Sequence, residues 1–185
     1  MHVSIIVPKG DKVVSSILGA FKVFNAVNGY LAQTKPEDKP LFEIDLVGFS
    51  ESESAYNDLF TIRTTKLISD IKKTDLIIVS TINGDIPKSL ELNQPFVDWM
   101  IKMREKNNCE IASLCMGAFL FAQTGLLSGR PAATHWMGAD AFRMMFPDVK
   151  LMTEKVITDD EGLYTSGGAY SFLNLLLYFC HAFWV

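Results

Sequence analysis

Short apolar runs alternate along this chain with longer stretches whose apolar residues recur every three to four positions, as strands interleaved with amphipathic helices do. Val3 to Val7 is uninterrupted and stops at Pro8-Lys9-Gly10, which predicts a buried central strand and its turn. From Val13 to Leu31, positions Val14, Ile17, Leu18, Phe21, Phe24 and Val27 form one stripe, so a helix follows. Thr34 to Pro40 is polar and interrupted by Pro36 and Pro40, a loop, and Phe42 to Gly48 reads as the second strand. Residues 50–66, rich in Ser, Thr and Asn, predict a surface hairpin carrying Leu59 to Ile62.

Asp75 to Ser80 is a β-branched strand running into the turn signal Thr81-Ile82-Asn83-Gly84. Pro95 to Lys106 predicts a helix with Phe96, Trp99, Met100 and Met103 on one face. Glu110 to Leu114 is a further buried strand, followed at once by Cys115-Met116-Gly117 and a helix from Ala118 to Thr124 that ends in the glycine-punctuated stretch 125–129. A helix over Ala139 to Met145, strands over Val149 to Met152, Val156 to Thr158 and Leu163 to Thr165, and a last apolar helix from about Ala169 complete the series. Continuous apolar strands joined by crossover helices favour an α/β fold, a flavodoxin-like three-layer sandwich with a mostly parallel sheet covered on both faces. Without repeats, low-complexity tracts or a clear linker, residues 1–185 read as one domain.

Composition narrows the classes. With 49% hydrophobic and 21% charged residues the chain is globular in character, and a net charge of −4 gives no basic nucleic-acid face. The start lacks the basic region and cleavage site of a secretory signal, and no apolar stretch reaches the ~20 residues that span a bilayer. The expected setting is therefore cytoplasmic, with no membrane. Cys109, Cys115 and Cys180 are odd in number and lack metal-ligand spacing, so neither a disulfide nor a metal site is expected.

Cys115 stands at a strand-to-helix turn with no intervening loop, at the carboxyl end of the sheet where α/β sites gather. Gly117 leaves room for close strand–helix approach, the helix start favours a thiolate, and the Met116 amide faces the position of an oxyanion. Gly84 offers a second amide from the neighbouring strand end. Cys115 is otherwise a small buried hydrophobe, the usual state of a free cysteine. His135, after a small-residue strand, is either a proton acceptor for the thiol or a hydrogen-bonded ring packed against Trp136, which itself packs behind His135 without touching ligand. Cys109, Cys180, His2 and His181 read as structural, and Met100, Met103, Met144 and Met145 read as core. Asp159-Asp160-Glu161 reads as a solvated hairpin turn.

The segment Ala112 to Trp136, ASLCMGAFLFAQTGLLSGRPAATHW, resembles the nucleophile elbow of the ThiJ/PfpI (glutamine-amidotransferase-like) superfamily. It looks most like the branch that forms the N-terminal domain of AraC-type transcriptional regulators. That branch reads Cys-x-Gly-Ala-Phe, then Ala-x-x-Gly-Leu-Leu-x-Gly, then Thr-x-His-Trp. Cys115, Gly117, Ala118, Phe119, Ala122, Gly125, Leu126, Leu127, Gly129, Thr134, His135 and Trp136 fit it, and the likeness continues through Phe146-Pro147-Asp148-Val149 and Thr165-Ser166-Gly167-Gly168. Two positions depart from it. Catalytic members carry an acid in the first helix; aligning Gly19 and Phe24 puts Ser16 there, which removes the usual proton shuttle. They also often carry Gly-Gly where this chain has Asn83-Gly84.

The resemblance implies a small-molecule-sensing domain whose pocket includes Cys115, His135, Ser16, Gly84 and Met116, with Gly167 and Gly168 in the turn before the last helix. It implies no cofactor, a homodimer, and DNA contact only through a C-terminal helix-turn-helix domain not present in this chain. A truncated regulator or a dimer would cover the apolar end Cys180 to Val185. The alternative is a cysteine-dependent hydratase, amidase-like hydrolase or glyoxalase, with Cys115 as nucleophile, the Met116 and Gly84 amides as oxyanion donors and His135 as base. The third reading is a degenerate module that only dimerises.

Overall fold

The computed structural model describes residues 1–168 and 171–184. In chain order the elements are β1 (His2–Ile6), α1 (Val14–Thr34), β2 (Glu43–Gly48), β3 (Ser52–Ala55), β4 (Phe60–Arg63), β5 (Lys66–Leu67), β6 (Leu76–Val79), α2 (Ile86–Leu92), α3 (Gln94–Asn107), β7 (Glu110–Leu114), α4 (Gly117–Ala122), β8 (Pro131–Ala132), α5 (Ala139–Met145), β9 (Lys150–Leu151), β10 (Ile157–Asp160), β11 (Leu163–Ser166) and α6 (Phe172–Trp184). The expected start of the last helix at Ala169 lies outside the described residues, as do the side chains of the apolar end beyond residue 182. No helix among the described residues is long and apolar enough to cross a membrane.

Seven strands form the main sheet in the order β10-β11-β7-β6-β1-β2-β5, all parallel except the edge pair β10–β11. The sheet confirms the mostly parallel α/β expectation, and the period-2 alternation of strand side chains explains its two cores. Ile77, Val79 and Ile111 turn toward α2, α3, α4 and α5, meeting Phe96, Met100, Met103, Phe119 and Phe142. Val3, Ile5, Leu76, Ile78, Ala112 and Leu114 turn the other way, toward Ile17, Ala20 and Phe24 of α1 and Leu175, Leu176 and Phe179 of α6. With both faces covered, the central strands carry no polar alternation, which is why they read as unbroken apolar runs.

Several elements differ from the sequence expectation. Leu18 belongs to the predicted stripe of α1 but faces solvent, because the buried set is Ile17, Ala20, Phe24 and Val27. Helix α2 was not predicted; Asp85 caps it by accepting from the Lys88 amide, and Pro87 sits in its first turn, a start signal overshadowed by the preceding turn. The strand expected at Val149 to Met152 shortens to β9, which pairs with β8 in a small sheet apart from the main one. Asp159 and Asp160 lie within β10, so the reversal is made by Glu161 and Gly162 alone, both at positive φ. The acidic run is not simply solvated: Arg130 pairs with Asp160 at 2.6 Å and with Glu161 at 2.9 Å, and Tyr178 donates to Asp159 at 2.7 Å. Met100 and Met103 are core, as expected, whereas Met144 and Met145 are exposed on the outer face of α5. The hairpin β3–β4 forms as expected, and Lys12 pins it, its buried ammonium donating to the Ser54 carbonyl at 2.6 Å.

Register brings the strand ends level. Ile5 pairs with Ile78, and Val79 with Ser113, so β1, β6 and β7 deliver the loops after them to one edge. There α4 begins directly above β6. A methyl group at Gly117 would overlap the Val79 carbonyl oxygen and lie 2.8 Å from that of Ser80, both backbone atoms. We expect Gly117→Ala to lower unfolding stability by about 3 kcal/mol or more, measured by urea denaturation. Gly29→Ala, on α1 with nothing near its added methyl, is expected to gain up to about 1 kcal/mol, and equal losses at both sites would contradict the steric account.

Candidate functional site

The chain between β7 and α4 turns so sharply that Cys115 takes φ +55°, in the left-handed region that non-glycine residues seldom adopt. Three contacts hold it there. The Cys115 amide donates to the Ser166 carbonyl at 3.1 Å, the Thr134 hydroxyl donates to the Cys115 carbonyl at 3.2 Å, and the Thr81 hydroxyl donates to the Leu114 carbonyl at 3.0 Å. Strain at a single residue held by its surroundings marks a position whose side-chain direction matters.

Beside the elbow lies a cavity of about 370 Å³ lined by Val13, Ser16, Thr81, Asn83, Cys115, Met116, His135, Met137 and Phe172. It gathers the loop into α1, the loop after β6, the elbow, the turn after β8 and the start of α6. Gly19 admits the last of these, since a side chain there would run into the Phe172 ring.

The Cys115 thiol is 8% exposed, and burial pushes its pKa above the ordinary thiol value. The Met116 amide and the Thr81 hydroxyl pull the other way but do not overcome it. The expectation that the helix start favours thiolate is therefore corrected: desolvation of the buried sulfur is the largest influence on it, and α4 above it is only 6 residues long. Cys109 is deeper, pushed up to about 12 by burial and Asp75.

Ser16 is buried and fully engaged. Its hydroxyl accepts from the Thr81 amide at 3.1 Å and donates to the Val13 carbonyl at 2.8 Å, stitching α1 to the loop after β6. Where the acid would stand, this chain has a structural clasp with no proton to exchange. His135 caps the short 3₁₀ turn Trp136–Gly138, its Nδ1 accepting from the Met137 amide at 3.2 Å. A ring nitrogen that accepts carries no proton, which leaves Nε2 as the donor of the ring. Trp136 stacks on His135, centroids 5.6 Å apart, and stands 72% exposed outside the cavity lining.

The structure thus brings Cys115, Met116, His135 and Ser16 to one cavity and leaves three expected residues out of its lining. Gly84, at φ +74°, faces Asp11, whose carboxylate would lie 2.6 Å from an added methyl. Gly167 donates its amide to the Val156 carbonyl at 3.0 Å, and Gly168 turns against Ser171. Val13, Thr81, Asn83, Met137 and Phe172 were missed. Thr81 carried a signal, a hydroxyl directly after a strand at the carboxyl edge; Phe172 carried none, being distant in sequence. One cluster, His2, Glu43 and Asp45, has donor atoms within 4.8 Å of one another at the opposite sheet edge, but Lys66 already pairs with Asp45 at 3.1 Å and Glu43 at 3.7 Å.

The profile of the DJ-1/PfpI family matches residues 37–181. The HTH-type transcriptional regulator CdhR of Pseudomonas aeruginosa is 29% identical over 110 residues, 60% of this chain and 31% of that protein. The HTH-type transcriptional regulator ArgR of the same organism is 34% identical over 83 residues, 45% of this chain and 25% of that protein. The matched segments thus span less than a third of either regulator. Among solved structures, a provisionally assigned transcriptional regulator of Vibrio parahaemolyticus superposes with TM-score 0.84 at 21% identity, covering 98% of this chain and 91% of the other. An AraC family transcriptional regulator of Pseudomonas putida gives 0.75 at 15%, and Drosophila melanogaster DJ-1beta gives 0.76 at 14%, covering 98% of this chain and 91% and 89% of theirs.

Two outcomes check this geometry. Ser16→Ala orphans the buried Thr81 amide and is expected to cost about 1–3 kcal/mol in chemical denaturation. Because the folded thiol titrates above its unfolded value, Cys115 contributes stability below the unfolded pKa of roughly 8.5, and this is lost as pH rises further. Iodoacetamide modification of Cys115, followed by peptide mass, should accordingly lag free cysteine at pH 8 and keep rising beyond pH 9; a plateau below pH 8 would contradict burial as the dominant influence.

Proposed function

The chain belongs to the DJ-1/PfpI family, and from that premise we propose that it is the small-molecule-sensing domain of an AraC-type transcriptional regulator and is not a catalyst. The observation that carries the reading is the clasp at Ser16. A cysteine catalyst needs a group to take and return a proton near the sulfur, and the one residue placed for it spends its hydroxyl on two backbone partners. His135 does not replace it, since its Nδ1 caps a turn and its Nε2 holds the proton. Burial, by raising the thiol pKa, lowers the thiolate fraction as well.

What remains is a strained, tightly held elbow flooring a cavity whose lining comes from five separate segments. A ligand bound there touches α1, the elbow and α6 together, so its binding energy can bias their arrangement. Two regulators among the relatives support coupling of that change to DNA through a separate domain. The net charge of −4 fits a domain that does not itself hold DNA, and pairing into a homodimer, to be measured by sedimentation, would match a two-fold operator.

The test uses Cys115→Ala in a thermal-shift screen against a metabolite panel. A compound that raises the melting temperature of the native chain should raise that of the variant by a similar amount, with affinity changed less than about tenfold, since one side chain of nine in the lining is lost. Turnover of any stabilising compound by the native chain, abolished in the variant, would transfer the protein to the cysteine hydrolases or hydratases.

A further inference from the structure

Among the described residues, the lining of the Cys115 cavity contains no Asp, Glu, Lys or Arg. Of the charged side chains nearest in sequence, Asp11 lies against Gly84, Lys12 reaches the Ser54 carbonyl in the hairpin, and Asp85 caps α2 by accepting from the Lys88 amide. His135, the imidazole in the described lining, keeps its Nδ1 lone pair on the Met137 amide. A charged ligand would therefore surrender its hydration without gaining a counter-charge, which is costly in a site of this kind.

The uncommitted polar groups are neutral and mostly donors. The Ser16 and Thr81 hydroxyl protons are spent on the Val13 and Leu114 carbonyls. Besides these the described lining offers the Met116 amide, held on the Cys115 sulfur, the His135 Nε2–H and the Asn83 side-chain amide. Val13, Met116, Met137 and Phe172 make the rest of the wall apolar.

We infer that this cavity selects an uncharged small molecule with an apolar body and a hydrogen-bond acceptor such as an amide, ketone or ester carbonyl, and that it rejects carboxylates, phosphates and ammonium ions. The inference rests on the reading of the cavity as a sensing site and narrows it to a ligand class. Apolar walls hold the body of the molecule, while the Met116 amide and His135 Nε2–H meet its acceptor.

Cys115 itself reports the selectivity. In each case its thiolate attacks the sulfenyl sulfur of an alkyl methanethiosulfonate, the new S–S bond replaces the S–SO₂ bond, methanesulfinate leaves and the thiol proton passes to solvent. Propyl (neutral), 2-sulfonatoethyl (anionic) and 2-(trimethylammonio)ethyl (cationic) methanethiosulfonates are compared on the native chain, each rate divided by that with 2-mercaptoethanol. Labelling is read at Cys115 by peptide mass, which separates it from Cys109 and Cys180. The propyl reagent should exceed both charged reagents by roughly a hundredfold, the scale set by moving an unpaired charge into such a site. Using both signs prevents the net charge of the chain from imitating the result. Either charged reagent within tenfold of the propyl reagent overturns the inference.

Protection of Cys115 from the propyl reagent by hexanamide, hexanoate and hexylammonium forms the second arm. Protection by hexanamide alone supports the inference. Protection by hexanoate or hexylammonium at the same or lower concentration overturns the ligand class and leaves the sensing role standing. Protection by none of the three overturns both.

Discussion

The elbow at Cys115 is the constraint around which the functional edge is arranged. A left-handed backbone at a residue with a side chain costs about 1–2 kcal/mol and persists only where neighbours leave no alternative. Here the neighbours are the Ser166 carbonyl, the Thr134 hydroxyl, the Thr81 hydroxyl on the preceding carbonyl, and the carbonyls of Val79 and Ser80 beneath Gly117. They come from three separate segments, so the geometry of one residue reports the assembly of β6, β7, β11 and the turn after β8. The same contacts enclose the cavity, and the fold and the site share one set of interactions.

In a reactive elbow, burial is balanced by a nearby acid, a base and a helix dipole. In this chain the balance tips toward burial. The acid's place is held by a hydroxyl that fastens α1 to the loop after β6, the imidazole caps a turn, and burial raises the thiol pKa. The Ser16 hydroxyl and the His135 Nδ1 are engaged with backbone groups. What they hold in place is the wall of a cavity reached by α1 and α6, elements able to pass a small displacement onward.

Much of this was legible from residues alone. The apolar runs gave the central strands because a strand buried on both faces has no polar alternation, and the run ending at Leu114 followed at once by Met116-Gly117 gave the elbow. Ser16 was found by aligning Gly19 and Phe24 within α1. Other features were hidden for physical reasons. Met144 and Met145 have helical spacing but sit on the outer turn of α5, since spacing defines a stripe without saying which side is buried. Gly84, Gly167 and Gly168 lie near the right edge, yet their directions depend on Asp11, Val156 and Ser171, which nothing local ties to them.

The sequence by itself determined the layers, the mostly parallel sheet and the position of the elbow, because periodicity, β-branching and glycine placement act over a few residues. Only the tertiary structure decided the state of the thiol and the character of the cavity. Both depend on which groups converge from distant segments and on which of their protons and lone pairs are already spent. The Thr81 amide on Ser16 and the Met137 amide on His135 are single hydrogen bonds, invisible in residue spacing. They fix what Ser16 and His135 can still offer beside the sulfur.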